Sequence, residues 1–231
     1  MVKEDANLTN KYYTLKIPKD RKEDIKKIKE LLKKVEQLYR EDIEEIPTIH
    51  FDRHLYTQLV IYGEGKENIK TEPPRLNKGE TEFVKRLRDY LKNNRSKFKE
   101  KEIFLLRNLS QKGIKFFQTS GFYPDFIMWL RSKNKQATVF IDPKGIRNLG
   151  NFNNEKIQLH KYIKEIKEEV NKTHKNLKLG SLILSVSKYK DIKKIFDNGK
   201  RTKEEFEKNH ILFTEDKDLI DKLFNSIESS V

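Results

Sequence analysis

The chain has 231 residues, 35% apolar and 37% charged, with a net charge of +14 and an isoelectric point near 9.6. The absence of cysteine excludes disulfides, thiolate zinc sites and a cysteine nucleophile, and no apolar run approaches the ~18 residues of a membrane span. No apolar signal core opens the N-terminus, so a soluble intracellular protein is expected. The positive excess points to a polyanionic partner, most simply nucleic acid; a lysine-rich solvated surface is the plainer alternative.

Residues 1–18 read as irregular or weakly extended. Over 20–45, Ile25, Ile28, Leu31, Leu32, Val35 and Leu38 recur at helical spacing, and Pro47 closes the helix. Acids interleave with its lysines, which favours a solvated face over a membrane anchor. Residues 49–61, rich in aromatic and β-branched side chains, predict one or two strands. His50, Asp52 and His54 alternate onto one face there, a spacing shared by metal sites and by ordinary polar strand faces. Gly63, Gly65 and Pro73-Pro74 mark 63–75 as a linker between an N-terminal extension, 1–75, and a main domain, 76–231.

A second helix is predicted over 79–93, with Phe83, Val84, Leu87 and Leu91 as its stripe. Strands are expected over 103–109 and 114–119. Two apolar runs, 126–130 and 137–141, flank a polar stretch and predict a β-hairpin. A loop over 145–154, a helix over 155–170, strands over 179–186 and 211–214 and a helix over 216–227 complete the order. The expected class is α/β, with a mixed sheet in a layered architecture. Phe126, Met128, Leu130, Val139 and Ile141 share one hairpin face, and Ile127, Trp129 and Phe140 the other, so both need cover from helices. Trp129 and the pair Phe116-Phe117 are most simply core.

The hairpin also carries the chemistry. A turn centred on Lys133-Asn134 sets Asp125 opposite Asp142, with Cβ atoms within about 5 Å. Lys144, two residues beyond Asp142, projects from the same face. Like charges so close are unfavourable unless a cation or proton lies between them, and a divalent metal is the simplest occupant. Pro143 cannot donate to a ladder, which leaves its carbonyl free to ligate. Singly, Asp125 and Asp142 are ordinary turn residues and Lys144 a surface lysine; the register brings all three together. Glu80 shares the helical face of Phe83 and Val84 and is a fourth candidate. It also stands at the third helical position after Asn77, the spacing of a capping box, and the two roles are compatible.

Pro124-Asp125, Asp142-Pro143-Lys144 and the upstream helical Glu80 resemble the PD-(D/E)XK nucleases. Gln158-Leu159-His160-Lys161-Tyr162 is similar to the Gln-x-x-x-Tyr element of the RecB-like branch. Residues 122–130 with 140–145 look like the C-terminal nuclease domain of type III restriction subunits. The resemblance spans roughly residues 76–190. Asp142 stands where many relatives carry Glu. No phosphate loop of a helicase motor occurs in the sequence, so a helicase or translocase motor or a modification subunit would lie on another chain or segment.

The resemblance implies a restriction-endonuclease-like core and a Mg²⁺-dependent DNA endonuclease, with Mn²⁺ able to substitute, acting in host defence in a prokaryotic cytoplasm. Asp125, Asp142 and the Pro143 carbonyl would hold the ion, Glu80 would ligate a second ion or act through water, and Lys144 would orient or deprotonate the attacking water or stabilise the transition state. Gln158 and Tyr162, four apart on one helical face, would grip DNA, although core packing is the plainer reading of Tyr162. Arg147, Lys156 and Lys161 flank the site and can contact phosphates. The alternatives are a RecB-like recombination or repair nuclease and a non-catalytic nucleic-acid-binding relative.

Overall fold

The computed structural model describes residues 14–16, 26, 48–49, 59–60, 70–72, 74–108, 123–133, 135–172 and 177–229. The predicted helix over 20–45 (apart from helical Lys26), the group His50, Asp52 and His54, and the predicted strand over 114–119 with Phe116-Phe117 lie outside the described residues. The chain divides into two units, Met1–Lys85 and Arg86–Val231.

In the first unit, β1 (Thr14–Lys16) pairs antiparallel with β4 (Lys70–Glu72), and β2 (Thr48–Ile49) with β3 (Leu59–Val60). The strand content expected over 49–61 is met by two short strands. β4 lies inside the stretch read as a linker; its partner is remote in sequence, so no local pattern announces the pairing. Helix α1 (Lys78–Asn93) starts in this unit and runs into the second. Its N-terminus is closed as the spacing predicts. The Glu80 amide donates to Asn77 Oδ1 at 2.9 Å and the Asn77 amide to Glu80 Oε2 at 3.2 Å, so two orphan donors are satisfied reciprocally.

The second unit is α/β. Its mixed five-stranded sheet has the order β5 (Glu102–Arg107), β6 (Phe126–Ser132), β7 (Lys135–Lys144), β8 (Leu177–Ser185), β9 (Ile211–Phe213). The first three strands are antiparallel to one another, and β8 and β9 run parallel to β7. The β6–β7 hairpin turns through two residues. Ser132 faces Lys135, and Lys133 adopts a φ of 49°, the left-handed geometry that a two-residue turn requires. The strands therefore extend into the polar stretch, where Arg131 lies opposite Glu102 of β5 with an ion pair at 3.7 Å.

Helix α2 (Glu155–Asn171) joins β7 to β8, as a parallel pair requires. Its apolar stripe, Leu159, Ile163 and Ile166, packs with Tyr162 on Ile127, Trp129 and Phe140, the hairpin face predicted to need cover. Phe126, Met128, Leu130, Val139 and Ile141 on the opposite face are also buried. Between β8 and β9 the chain forms α3 (Tyr189–Ile192), a 3₁₀ turn at Phe196–Gly199 and α4 (Lys203–Lys208). These pieces are too short to show a hydrophobic period, and the sequence did not reveal them. They seat Ile192, Phe196 and Phe206 on Ile183, Ile211 and Phe213, with Phe152 packed in from the 145–154 loop, tilted at 5.0 Å from Phe196 and edge-on at 5.1 Å from Phe206. Helix α5 (Leu219–Ser229) follows β9, and its Phe224 packs between Tyr90 and Phe98.

Asp216, in the turn after β9, ties these helices together. Its carboxylate takes the Lys203 ammonium of α4 and the Lys222 ammonium of α5, the latter at 3.0 Å. The Arg86 guanidinium donates to the carbonyls of Thr214, Asp216 and Lys217. Burial pushes the Asp216 carboxyl upward, but the bonds from Lys203 and Lys222 outweigh it and hold the group below its ordinary value. A depressed carboxyl stabilises the fold above its unfolded pKa and loses that contribution as pH falls through the folded value. Asp216→Asn should cost about 1.5–3 kcal/mol at neutral pH, with the wild-type advantage narrowing below about pH 4. Urea denaturation across pH measures both; a pH-independent difference contradicts the linkage.

Candidate active site

Antiparallel pairing sets which residues reach the open end of the hairpin. The ladder ends at Phe126 opposite Ile141, on one side, and at Arg107 opposite Phe126 on the other. Continued by one step, the first register brings Asp125 level with Asp142, as the turn position predicts. The Asn108 amide donates to the Asp125 carbonyl at 2.8 Å, and the Asn108 side chain to the Pro124 carbonyl at 2.8 Å. This buried asparagine fixes the backbone from which Asp125 projects.

Asp142 is 4% exposed. Its Oδ2 accepts no hydrogen bond from the described residues; it faces the Lys144 ammonium in an ion pair. The pair fits the two-residue spacing that aims both side chains from one face of β7. Burial and the like charge of Lys156, at the start of α2, push the Lys144 ammonium down to about 8, while Asp125 pulls it back. The contact with Asp142 works in the same upward direction. Burial raises the Asp125 carboxyl above its usual value, opposed by the positive charges of Lys144, Arg107 and Lys156. Asp125, Asp142, Lys144, Lys156 and Arg107 thus form one electrostatic cluster at one sheet end.

Pro143 is buried as the penultimate residue of β7, beyond the last residue paired with β6. The Lys144 carbonyl accepts from the Val186 amide at 3.0 Å and so faces β8. Successive carbonyls of a strand point to opposite sides, so the Pro143 carbonyl is directed toward β6. Among the described residues no group of three or more His, Cys, Asp or Glu side chains is gathered to hold a metal. Two carboxylates and a carbonyl are nonetheless the hard oxygen donors of Mg²⁺, which keeps waters and substrate oxygens in its remaining positions. The buried Asp142 Oδ2, which faces the Lys144 ammonium, is the oxygen that such a cation would have to share or take over.

The remaining predicted residues have varied surroundings. Glu80 is buried, with its carboxylate in the α1 cap. Gln158 donates its amide to the Phe152 carbonyl and pins the 145–154 loop to α2. Tyr162 packs on the hairpin face already described. Arg147 is exposed on the 3₁₀ turn Arg147–Leu149, and Lys161 is exposed on α2.

Arg107 and Asn108 escaped the sequence reading because the β5–β6 register depends on pairing across a long connection. A histidine pair escaped it for the same reason. His160 and His210 stack at 4.7 Å with 13° between rings, each Nδ1 on a carbonyl oxygen, of Ile157 at 2.6 Å and Ser181 at 3.1 Å. Burial pushes both imidazoles below their usual value. His210 and Asp142 line the same cavity of about 10 Å³, room for about one water.

No protein-family model, curated protein or solved structure matches the chain.

Two outcomes test this electrostatics in metal-free protein. Asp125, raised above its unfolded value, costs stability once pH exceeds that value. Asp125→Asn should therefore melt at the same temperature as wild type or higher at pH 8, and the two should converge near pH 4; a large loss at pH 8 identifies a structural carboxylate instead. Lys144→Met strips the counter-ion from buried Asp142 and should cost about 3–5 kcal/mol. Added Mg²⁺ should restore melting temperature to this variant more than to wild type. No response of either protein to Mg²⁺ excludes the cation from this pocket.

Proposed function

We propose that the protein is a Mg²⁺-dependent deoxyribonuclease of restriction-endonuclease-like fold, hydrolysing phosphodiester bonds in a defence system. The supporting observation is the convergence of Asp125, buried Asp142 and its ion-paired Lys144 where an antiparallel ribbon ends. The order helix, hairpin, helix, strand supports the same core.

A phosphodiester resists attack because of its negative charge. Bound by Asp125, Asp142 and the Pro143 carbonyl, Mg²⁺ would offset that charge and acidify a coordinated water. Lys144, whose ammonium pairs with Asp142, would be free to turn toward the phosphate if that carboxylate held a cation. There it orients the attacking water or stabilises charge on the pentavalent phosphorus. The water oxygen bonds to phosphorus, the bond to the 3′ oxygen breaks, and that oxygen takes a proton, leaving a 5′-phosphate and a 3′-hydroxyl. Lys156 and Arg107 add positive charge around the carboxylates and favour an anionic substrate. Arg147 and Lys161, exposed near the start of α2, extend that field. Glu80 closes the α1 cap and is the acid that the resemblance assigns to a second ion; Mn²⁺ is expected to replace Mg²⁺.

A non-catalytic DNA-binding role is the second reading, favoured by one feature: the Lys144–Asp142 pair also serves as a plain buried salt bridge. Nicking of supercoiled plasmid decides between them. Wild type should cut with Mg²⁺ or Mn²⁺ and not in chelator, whereas Asp142→Ala and Lys144→Ala should lose about 10²-fold or more in rate while keeping DNA affinity. Binding without cleavage under every divalent ion rejects the enzyme.

A further inference from the structure

We propose that the exposed lysines of the 188–200 excursion form a surface that tracks the phosphate backbone of DNA away from the candidate active site. The inference rests on the reading of DNA as the partner and adds residues that the motif does not contain. The excursion leaves β8 directly beside β7: the Val186 amide bonds the Lys144 carbonyl, and a Cβ on Gly145 would lie 3.4 Å from Ser187 Oγ. Lys188, Lys190, Lys193, Lys194 and Lys200 are all exposed, and among the described residues none of them joins an ion pair.

Nearby acids offset little of this charge. Asp197 is taken by Arg201, and Glu215 Oε1 accepts the Tyr189 amide at 2.9 Å. Asp191 and Glu215 stand exposed beside the five lysines and leave an excess of positive charge.

The lysines are held in place by the core beneath them. Ile192 and Phe196 are buried, and Phe196 packs on Phe206 at 4.9 Å. Asp197, Asn198 and Gly199 have successive positive φ values of 48°, 58° and 76°. That turn brings Gly199 so close that a Cβ there would meet the Lys193 carbonyl at 3.2 Å, which returns Lys200 to the side of Lys193 and Lys194. Exposed lysines on an anchored backbone that starts beside the end of β7 suit phosphates spaced along a strand. Ile195 and Val186, 44% and 42% exposed, add too little apolar surface for insertion into a membrane.

The test measures binding of labelled duplex and single-stranded DNA in chelator over a salt series. Two triple variants each remove three exposed charges: Lys190→Gln with Lys193→Gln and Lys194→Gln on the excursion, and Lys99→Gln with Lys133→Gln and Lys135→Gln toward the hairpin turn. The excursion variant should weaken binding about tenfold or more and flatten the salt slope by ~0.9 for each duplex phosphate no longer neutralised, with a much smaller change in the other variant. Equal weakening in both, or none in the first, overturns the surface, as does an effect confined to phosphatidylserine vesicles. Plasmid cleavage is scored separately. Wild-type cleavage with unaltered binding by the excursion variant removes this surface and keeps the nuclease; selective weakening of binding without wild-type cleavage does the reverse.

Discussion

The ladder between β6 and β7 has nowhere to go beyond Phe126 and Ile141. In the same register the acids Asp125 and Asp142 come next, and after them Pro124 and Pro143. Neither proline has an N–H to give, so the hydrogen-bonded ribbon must open there. The fork leaves two carboxyl groups at its rim and the Pro143 carbonyl directed into it. Asn108 clamps one prong through Pro124 and Asp125, and the parallel pairing of Lys144 with Ser185 clamps the other. Everything attributed to the site follows from where backbone pairing stops.

Charge then has to be managed with little solvent. Asp142 is buried against a lysine, while Asp125 keeps partial exposure and three positive neighbours. In the metal-free molecule the ammonium is the resident counter-ion. On the proposed reading, a cation bound there would compete with it for Asp142, so occupancy of the fork would be coupled to the position of the lysine. The second half of the unit provides the opposite kind of constraint. Phe152, Phe196, Phe206 and Phe213 pack ring against ring, and this fixes both the loop after β7 and the excursion after β8 next to the fork.

The hairpin was legible because two apolar runs around a short polar stretch admit few registers, and its face assignment follows from alternation alone. The α1 stripe, its Asn77–Glu80 cap and α2 were equally plain from spacing. What could not be read depends on partners distant in sequence. Lys70–Glu72 looked like a linker because its mate is Thr14–Lys16. Arg107 and Asn108 join the site through a register no local pattern encodes. The lysines of 188–200 looked like general surface charge, and no local pattern foretold that the turn at Gly199 returns the chain to Lys193 and Lys194. Gln158 has a motif-like position, yet its amide spans to Phe152, a contact that spacing does not foretell.

The outer strands of the sheet carry a consequence for self-association. β9 has three residues, enough to offer a foreign strand only one or two ladder bonds. β5 begins at Glu102 and ends at Arg107, so a second copy laid antiparallel along it would match charges only in one alignment. Short or charged borders of this kind discourage edge-to-edge growth into fibrils. Among the described residues, the five-stranded sheet therefore offers a second copy of the chain little edge on which to extend.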